Sequence, residues 1–164
     1  MSLRASVVVA SNRASAGVYE DTTGPLLVAF LEELGFEVAP PEVVRDGDPV
    51  GEAIARAARE GARVVLTTGG TGLTPTDLTP EVTRPLLDRE IPGLAEGIRA
   101  AGVAKGIPTA LLSRGLAGQI GACVVVNLPG SRGGVKDAID VLRPVLPHAA
   151  EQSVGSDHSR GNGQ

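Results

Sequence analysis

Three stretches of the chain are apolar at nearly every position and rich in β-branched residues: Ala5–Ala10, Arg63–Thr67 and Ala122–Val126. Continuous apolar runs of this kind predict strands covered on both faces, as in a parallel sheet. Between them the apolar positions recur with a helical period. Leu26, Leu27, Phe30, Leu31 and Leu34 share one face, opened by Gly24-Pro25 and closed by Gly35. Val50, Ala53, Ile54 and Ala57 share another, closed by Gly61. Thr79-Pro80 reads as an N-cap followed by proline at the first helical position, leading into Val82, Leu86 and Leu87. Pro92 opens a short helix through Leu94 and Ile98 that ends near Gly102. Val135, Ala138, Ile139, Leu142 and Val145 predict a last helix with Ser131 as cap and His148 at its end, where a cation suits the helix dipole. The polar segment Glu151–Gln164, which contains His158, is expected to be a disordered tail. Residues 1–150 then form one domain. Strands alternating with helices predict an α/β fold around a mostly parallel sheet, whose ligands bind at the carboxyl ends of the strands.

Composition narrows the class. The chain has 164 residues, enough for one domain with a sizeable core. With one Tyr, two Phe and no Trp, that core must be aliphatic. The 22 glycines and 12 prolines punctuate apolar runs, so loops are numerous and global disorder is disfavoured. No apolar stretch approaches the ~20 residues of a membrane span. The run near the N-terminus is too short for a signal peptide, so a cytoplasmic protein is expected. One cysteine, Cys123, excludes an internal disulfide framework and a cysteine-based zinc site, and its place within a strand predicts a buried structural thiol. A net charge of −4 argues against bulk binding of nucleic acid.

The chemistry gathers where the strands end. Ser11-Asn12-Arg13 follows the first, Thr67-Thr68-Gly69-Gly70-Thr71-Gly72 the middle one, and Asn127-Leu128-Pro129-Gly130-Ser131 the last. Glycines let backbone N–H groups approach an anion, but the loop at Gly69–Gly72 matches neither the P-loop nor the dinucleotide spacing and also reads as a tight turn. Asp46 and Asp77 each read as turn residues. Together, flanking a glycine loop, they read as Mg²⁺ ligands, since Mg²⁺ takes one or two carboxylates plus phosphate oxygens. Ser113 and Arg114 suit a phosphate or a solvated loop. Ser131 suits an anion at a helix N-terminus or a simple cap, and Arg13 faces ligand or solvent. No Ser–His–Asp arrangement is visible.

These blocks, in this order, resemble the MoaB/Mog family of molybdenum-cofactor biosynthesis. The matching segments are Ser11-Asn-Arg-Ala-Ser15 with Asp21 and Gly24-Pro25, Thr67-Thr-Gly-Gly-Thr-Gly72, Asp77 with Thr79-Pro-Glu81, Ile91-Pro-Gly-Leu94, Leu112-Ser-Arg-Gly115 and Asn127-Leu-Pro-Gly-Ser131. The resemblance spans roughly residues 5–150. It implies a three-layer α/β/α molybdopterin-binding domain that assembles as a homotrimer or a multiple of three, with other cofactor-synthesis proteins as further partners. The implied activity is molybdopterin adenylyltransferase, which transfers AMP from Mg·ATP to the terminal phosphate of molybdopterin and releases pyrophosphate.

Carried over by position, Asp46 and Asp77 serve catalysis and Mg²⁺. Gly69, Gly70, Thr71 and Gly72 contact nucleotide and phosphate. Ser11, Arg13, Ser113, Arg114, Asn127, Pro129, Gly130 and Ser131 line the substrate site. The sequence departs from the family at Arg45 and Arg132, where proline is frequent. Asp48, two residues from Asp46, leaves open which carboxylate is the functional one. The attacking group would be a phosphate that is anionic already, so positioning and charge neutralisation suffice without an activated nucleophile. The competing readings are a non-catalytic pterin carrier, a different nucleotide enzyme on the same fold, and a structural subunit.

Overall fold

The computed structural model describes residues 2–155. Strand β1 (Arg4–Ala10) leads into a one-turn helix α1 (Asn12–Ser15), followed by α2 (Thr23–Glu33). Two short strands, β2 (Glu37–Val38) and β3 (Glu42–Val44), precede α3 (Asp48–Arg59). Strand β4 (Val64–Thr68) precedes α4 (Thr79–Thr83) and a 3₁₀ turn at Arg84–Leu86. Then come β5 (Arg89–Glu90), α5 (Pro92–Ala104), a 3₁₀ segment at Pro108–Leu112, β6 (Ala117–Ile120), β7 (Cys123–Leu128), α6 (Arg132–Leu142) and α7 (Leu146–Gln152).

The three strands legible as apolar runs form the centre of the sheet. β1 pairs with β4 and β4 with β7, both parallel, so that Ala5, Val64 and Val124 lie in one row. The full order is β2-β1-β4-β7-β6-β5, with β3 also on β1. β2 and β3 pair with successive halves of β1. Between them stand Pro40 and Pro41, which lack the N–H needed to continue a ladder. β6 and β5 extend the other side antiparallel.

Side chains alternate across each central strand. Val7, Val9, Leu66, Val124 and Val126 join the core with Leu27, Leu31, Ile98, Val135 and Leu142 from α2, α5 and α6. Val8, Val65 and Val125 join the other core with Val50, Ala53 and Ile54 of α3. The result is a three-layer α/β/α fold with a largely parallel sheet, as the resemblance implies. Each buried Leu or Val contributes about 1.5–3 kcal/mol, and both phenylalanines, Phe30 and Phe36, are buried in the first of these aliphatic cores.

Several expectations change. The strands β2, β3, β5 and β6 are too short or too polar to stand out as apolar runs. Thr79 lies inside α4, whose N-cap is Leu78, and no side-chain capping bond forms there. The expected last helix ends at Leu142: Arg143 keeps helical φ and ψ and donates to the Ile139 carbonyl, but Pro144 has no N–H to continue the ladder. A separate α7 follows, and His148 sits in its first turn, so the argument from a helix C-terminus does not apply to it. Helix α7 also includes Glu151 and Gln152, where a tail was expected, and the Ser153 hydroxyl donates to the Ala122 and Ala150 carbonyls. Residues 156–164, with His158, lie outside the described residues. Cys123 is buried as expected, and burial pushes its thiol pKa up to about 12. Among the described residues no helix is long and apolar enough to cross a membrane.

Candidate functional site

The carboxyl ends of β1, β4 and β7 meet through glycines. Gly69 has φ +91°, and a Cβ there would lie 2.3 Å from the Ala10 carbonyl oxygen. Gly130 packs against Gly69 in turn. Three strand-end loops therefore touch backbone to backbone. Gly70 is more constrained still. Its φ is +70°, and a Cβ would stand 2.2 Å from Thr79 Oγ1 and 2.3 Å from Asp46 Oδ2. The loop after β4 thus leaves room for the Asp46 carboxylate only because residue 70 has no side chain.

Asp46 follows β3 and is fixed from several directions. Its N–H donates to Asn12 Oδ1 at 3.1 Å. Its Oδ1 accepts from the N–H of Gly47 (2.7 Å), the N–H of Leu78 (3.2 Å) and the Thr79 hydroxyl (3.4 Å). Among the described residues no hydrogen bond goes to its Oδ2. Partial burial raises its pKa above the ordinary aspartate value, and the charge of Asp77 adds to this. The bonds from Gly47 and Leu78 oppose the shift. Asp48 is exposed at the first position of α3, where a carboxylate suits the helix N-terminus. Of the two, only Asp46 faces the glycine loop.

Asp77 sits on the loop between β4 and α4. Its Oδ2 accepts from the Thr74 N–H (2.9 Å) and the Thr74 hydroxyl (2.7 Å), an Asx-type closure of the turn. No hydrogen bond goes to its Oδ1 among the described residues. A Cβ on Gly72 would come within 2.8 Å of its Oδ2. The two carboxylates therefore flank one glycine loop, and each keeps one oxygen without a hydrogen bond. Among the described residues no cluster of three or more His, Cys, Asp and Glu side chains exists that could hold a metal by itself.

The expected substrate residues divide into two groups. Ser11 caps α1, accepting from the Ala14 N–H at 3.1 Å, and meets the Tyr19 hydroxyl at 3.1 Å. With Tyr19, Asp21, Thr68, Gly69 and Gly130 it bounds a cavity of about 120 Å³. Ser113, Pro129 and Ser131 bound a second cavity of about 170 Å³ together with Ile98, Arg99 and Asp137. Ser131 caps α6 as expected, accepting from the Gly134 N–H. The Ser113 hydroxyl reaches the Thr71 hydroxyl at 3.5 Å. Arg13 is exposed on α1.

Asn127 faces inward, and Arg114, partly exposed, turns onto the loop that carries Asp77. Asn127 is 3% exposed; it donates to Thr67 Oγ1 and Thr83 Oγ1 and accepts from the Leu116 N–H. Arg114 donates to the Gly72 and Asp77 carbonyls and to both oxygens of Glu81, all at 2.8 Å. Tyr19, Asn12, Thr79 and Arg99 complete the surroundings. Arg99 donates to the Ser113 and Gly115 carbonyls. Asn12 and Thr79 lie within the family blocks, but the blocks do not point to these contacts, which, like those of Arg99, are made to residues distant in the chain. A larger depression of about 760 Å³, around Asp88, Gln119 and Val124, lies at the other end of β7 and touches none of these groups.

Residues 6–148 match the family described as "Probable molybdopterin binding domain". The chain is 34% identical over 157 residues to a molybdopterin adenylyltransferase of Helicobacter pylori, covering 92% of this chain and 87% of that protein. It is 35% identical over 160 residues to a molybdenum cofactor biosynthesis bifunctional protein of Synechococcus elongatus. That match takes in 97% of this chain, which spans only half the length of that relative. The solved structure of the molybdopterin biosynthesis Mog protein from Mycobacterium ulcerans superposes with a TM-score of 0.89 at 46% identity, covering 95% of this chain and 99% of that one. Six sequence blocks in register, the three-layer fold and these matches agree: the chain belongs to the molybdopterin-binding MoaB/Mog family linked to molybdenum-cofactor biosynthesis.

Proposed function

We propose that this chain is a molybdopterin adenylyltransferase. The observation that carries the reading is the pair of carboxylates, Asp46 and Asp77, beside one glycine loop at the strand ends, each with one oxygen that accepts no hydrogen bond from the described residues. That donor set fits Mg²⁺, a hard cation that takes one or two carboxylates and completes its shell with water and phosphate oxygens. When bound, Mg²⁺ would supply neutralisation of the phosphate charge.

In the reaction, an oxygen of the molybdopterin terminal phosphate attacks the α-phosphorus of ATP. A new P–O bond forms, the bond to the β-phosphate breaks, and pyrophosphate leaves with the electron pair. The attacking oxygen is anionic already, so no side chain has to remove a proton. The protein's part is alignment and charge stabilisation. Main-chain N–H groups at Gly70–Gly72 would face the phosphates, while the Gly69 N–H is given to the Leu128 carbonyl. The first turn of α6 and the cavities beside Pro129–Ser131 offer the adjoining substrate surface. The use of ATP, assembly as a homotrimer or a multiple of three, and other cofactor-synthesis proteins as partners belong to the same reading.

The test is an anaerobic assay of purified protein with molybdopterin, MgCl₂ and ATP, followed for adenylylated molybdopterin. The expected result is product that requires Mg²⁺, with Asp77→Asn lowering turnover by about 10²-fold or more while molybdopterin affinity changes little. Tight molybdopterin binding with no product from wild type would move the protein to the carrier reading. Equal losses of turnover and affinity in the variant would remove the metal role of Asp77.

A further inference from the structure

Residues Leu73–Thr76 are exposed, so packing does little to hold the loop that carries Asp77. The loop's own ties are local: the Asp77 N–H donates to the Thr74 carbonyl, and Thr74 caps the Asp77 carboxylate. Among the described residues, the hydrogen bonds that tie Gly72–Asp77 to distant segments come from one side chain, while Leu78, just beyond the loop, donates its N–H to Asp46 Oδ1. Arg114 Nε donates to the Gly72 carbonyl at one end of the loop, and Nη2 donates to the Asp77 carbonyl at the other. Nη1 meets both oxygens of Glu81 on α4. The Arg114 main-chain N–H donates to the Thr71 carbonyl, which fixes the base of the side chain to the glycine loop itself.

We infer that Arg114 is a positioning residue that clamps the Gly72–Asp77 loop and thereby sets where the Asp77 carboxylate stands, and that it is not a substrate-phosphate ligand. Two features support this over anion binding. The guanidinium has little donor capacity left once these bonds are made, and its charge is matched by Glu81. The planar fork also suits the three acceptors, which an ammonium could not reach together. The inference rests on the adenylyltransferase reading for its activity readout, so the experiment includes one that needs no activity.

Three variants are compared with wild type: Arg114→Lys, Arg114→Gln and Glu81→Gln. Native-state hydrogen exchange of the amides at residues 72–78 is measured without substrates, and kcat and KM with them. Clamping predicts faster exchange confined to this loop in both Arg114 variants. It predicts a fall in kcat of about 10²-fold, the scale set by slight misplacement of a reacting group, with KM for ATP and molybdopterin within about threefold. Lysine is expected to fail as glutamine does, although it keeps the charge. Glu81→Gln removes only a half-exposed ion pair and is expected to change kcat by no more than about threefold.

The inference is overturned if Arg114→Lys keeps wild-type kcat, or if loop exchange is unchanged in both Arg114 variants. A several-fold lower KM for either anionic substrate in Glu81→Gln would also overturn it, because it would mean that the released guanidinium binds phosphate. Should wild type make no product, the function reading fails by itself, and the exchange data still decide the clamp.

Discussion

Asp46 and Asp77 are the same residue type on either side of one loop, yet they are held by different means. Asp46 follows a strand of the sheet, is partly buried, and has its position set by donors at the starts of α3 and α4 and by its own N–H, which donates to Asn12 Oδ1. Asp77 stands on an exposed loop, with a local turn closure and one long-range side-chain tie. The first carboxylate is rigid because its surroundings are the fold. The second is as rigid as its clamp. A site built this way keeps one fixed wall and one adjustable wall, and mutations should separate them.

The most severe break is expected at Gly70, on the Asp46 side. Gly70→Ala forces a Cβ onto Asp46 Oδ2 and Thr79 Oγ1 at a φ of +70°. The strain should cost about 1–3 kcal/mol of stability, read by urea unfolding. Turnover should fall by about 10²-fold or more as the carboxylate is displaced. Wild-type stability and turnover together in this variant would mean that the Asp46 wall is softer than its contacts imply.

Asn12→Ala is milder and addresses the same wall. It removes one acceptor, for the Asp46 N–H, and should lower turnover by about 3–10-fold, the equivalent of one ordinary hydrogen bond. Hydrogen exchange at residues 72–77 should stay at wild-type rates, since the neighbouring amide that donates to Asp46 is that of Leu78, beyond them. If it rises, the two walls are coupled and the comparison above needs revision.

The smallest effect is on stability, and its direction is diagnostic. Burial, aided by the Asp77 charge, raises the pKa of Asp46 above the ordinary value. The folded state therefore binds this proton more tightly than the unfolded chain does. Stability from this group is full below the unfolded pKa and declines as pH rises through the raised folded one. Asp46→Asn removes that decline while its amide oxygen can still accept from Gly47, Leu78 and Thr79. The variant should be inactive yet melt slightly higher than wild type at neutral pH, with the gain vanishing at acid pH. A melting difference that does not vary with pH would refute the burial argument.

Much of the architecture was legible beforehand. The runs around Val7, Val65 and Val125 are buried on both faces, which removes the alternation of a half-exposed strand and leaves a plain apolar signal. The short strands were invisible for the converse reason. β2 and β3 amount to a strand cut by Pro40-Pro41, and β5 is Arg89-Glu90, which no local pattern marks as strand. At the site, the glycine loop and both aspartates stood out because a crowded backbone leaves its signature in glycine. Asn127 and Arg114 looked equally like ligand contacts, since a polar residue beside a site reads the same whether it faces the cleft or the protein.

The sequence by itself determined the layers, the central parallel strands, the glycine loop and the family, because periodicity and six ordered blocks are properties of the chain as written. Only the tertiary structure decided which polar groups are open and which are used. Asp46 rather than Asp48 meets Gly70, the Arg114 donors go to carbonyls 42 and 37 residues away in the chain, and Asn127 is turned between Thr67 and Thr83. Hydrogen bonds are made to whatever the fold brings near, and sequence separation does not reveal which groups those are.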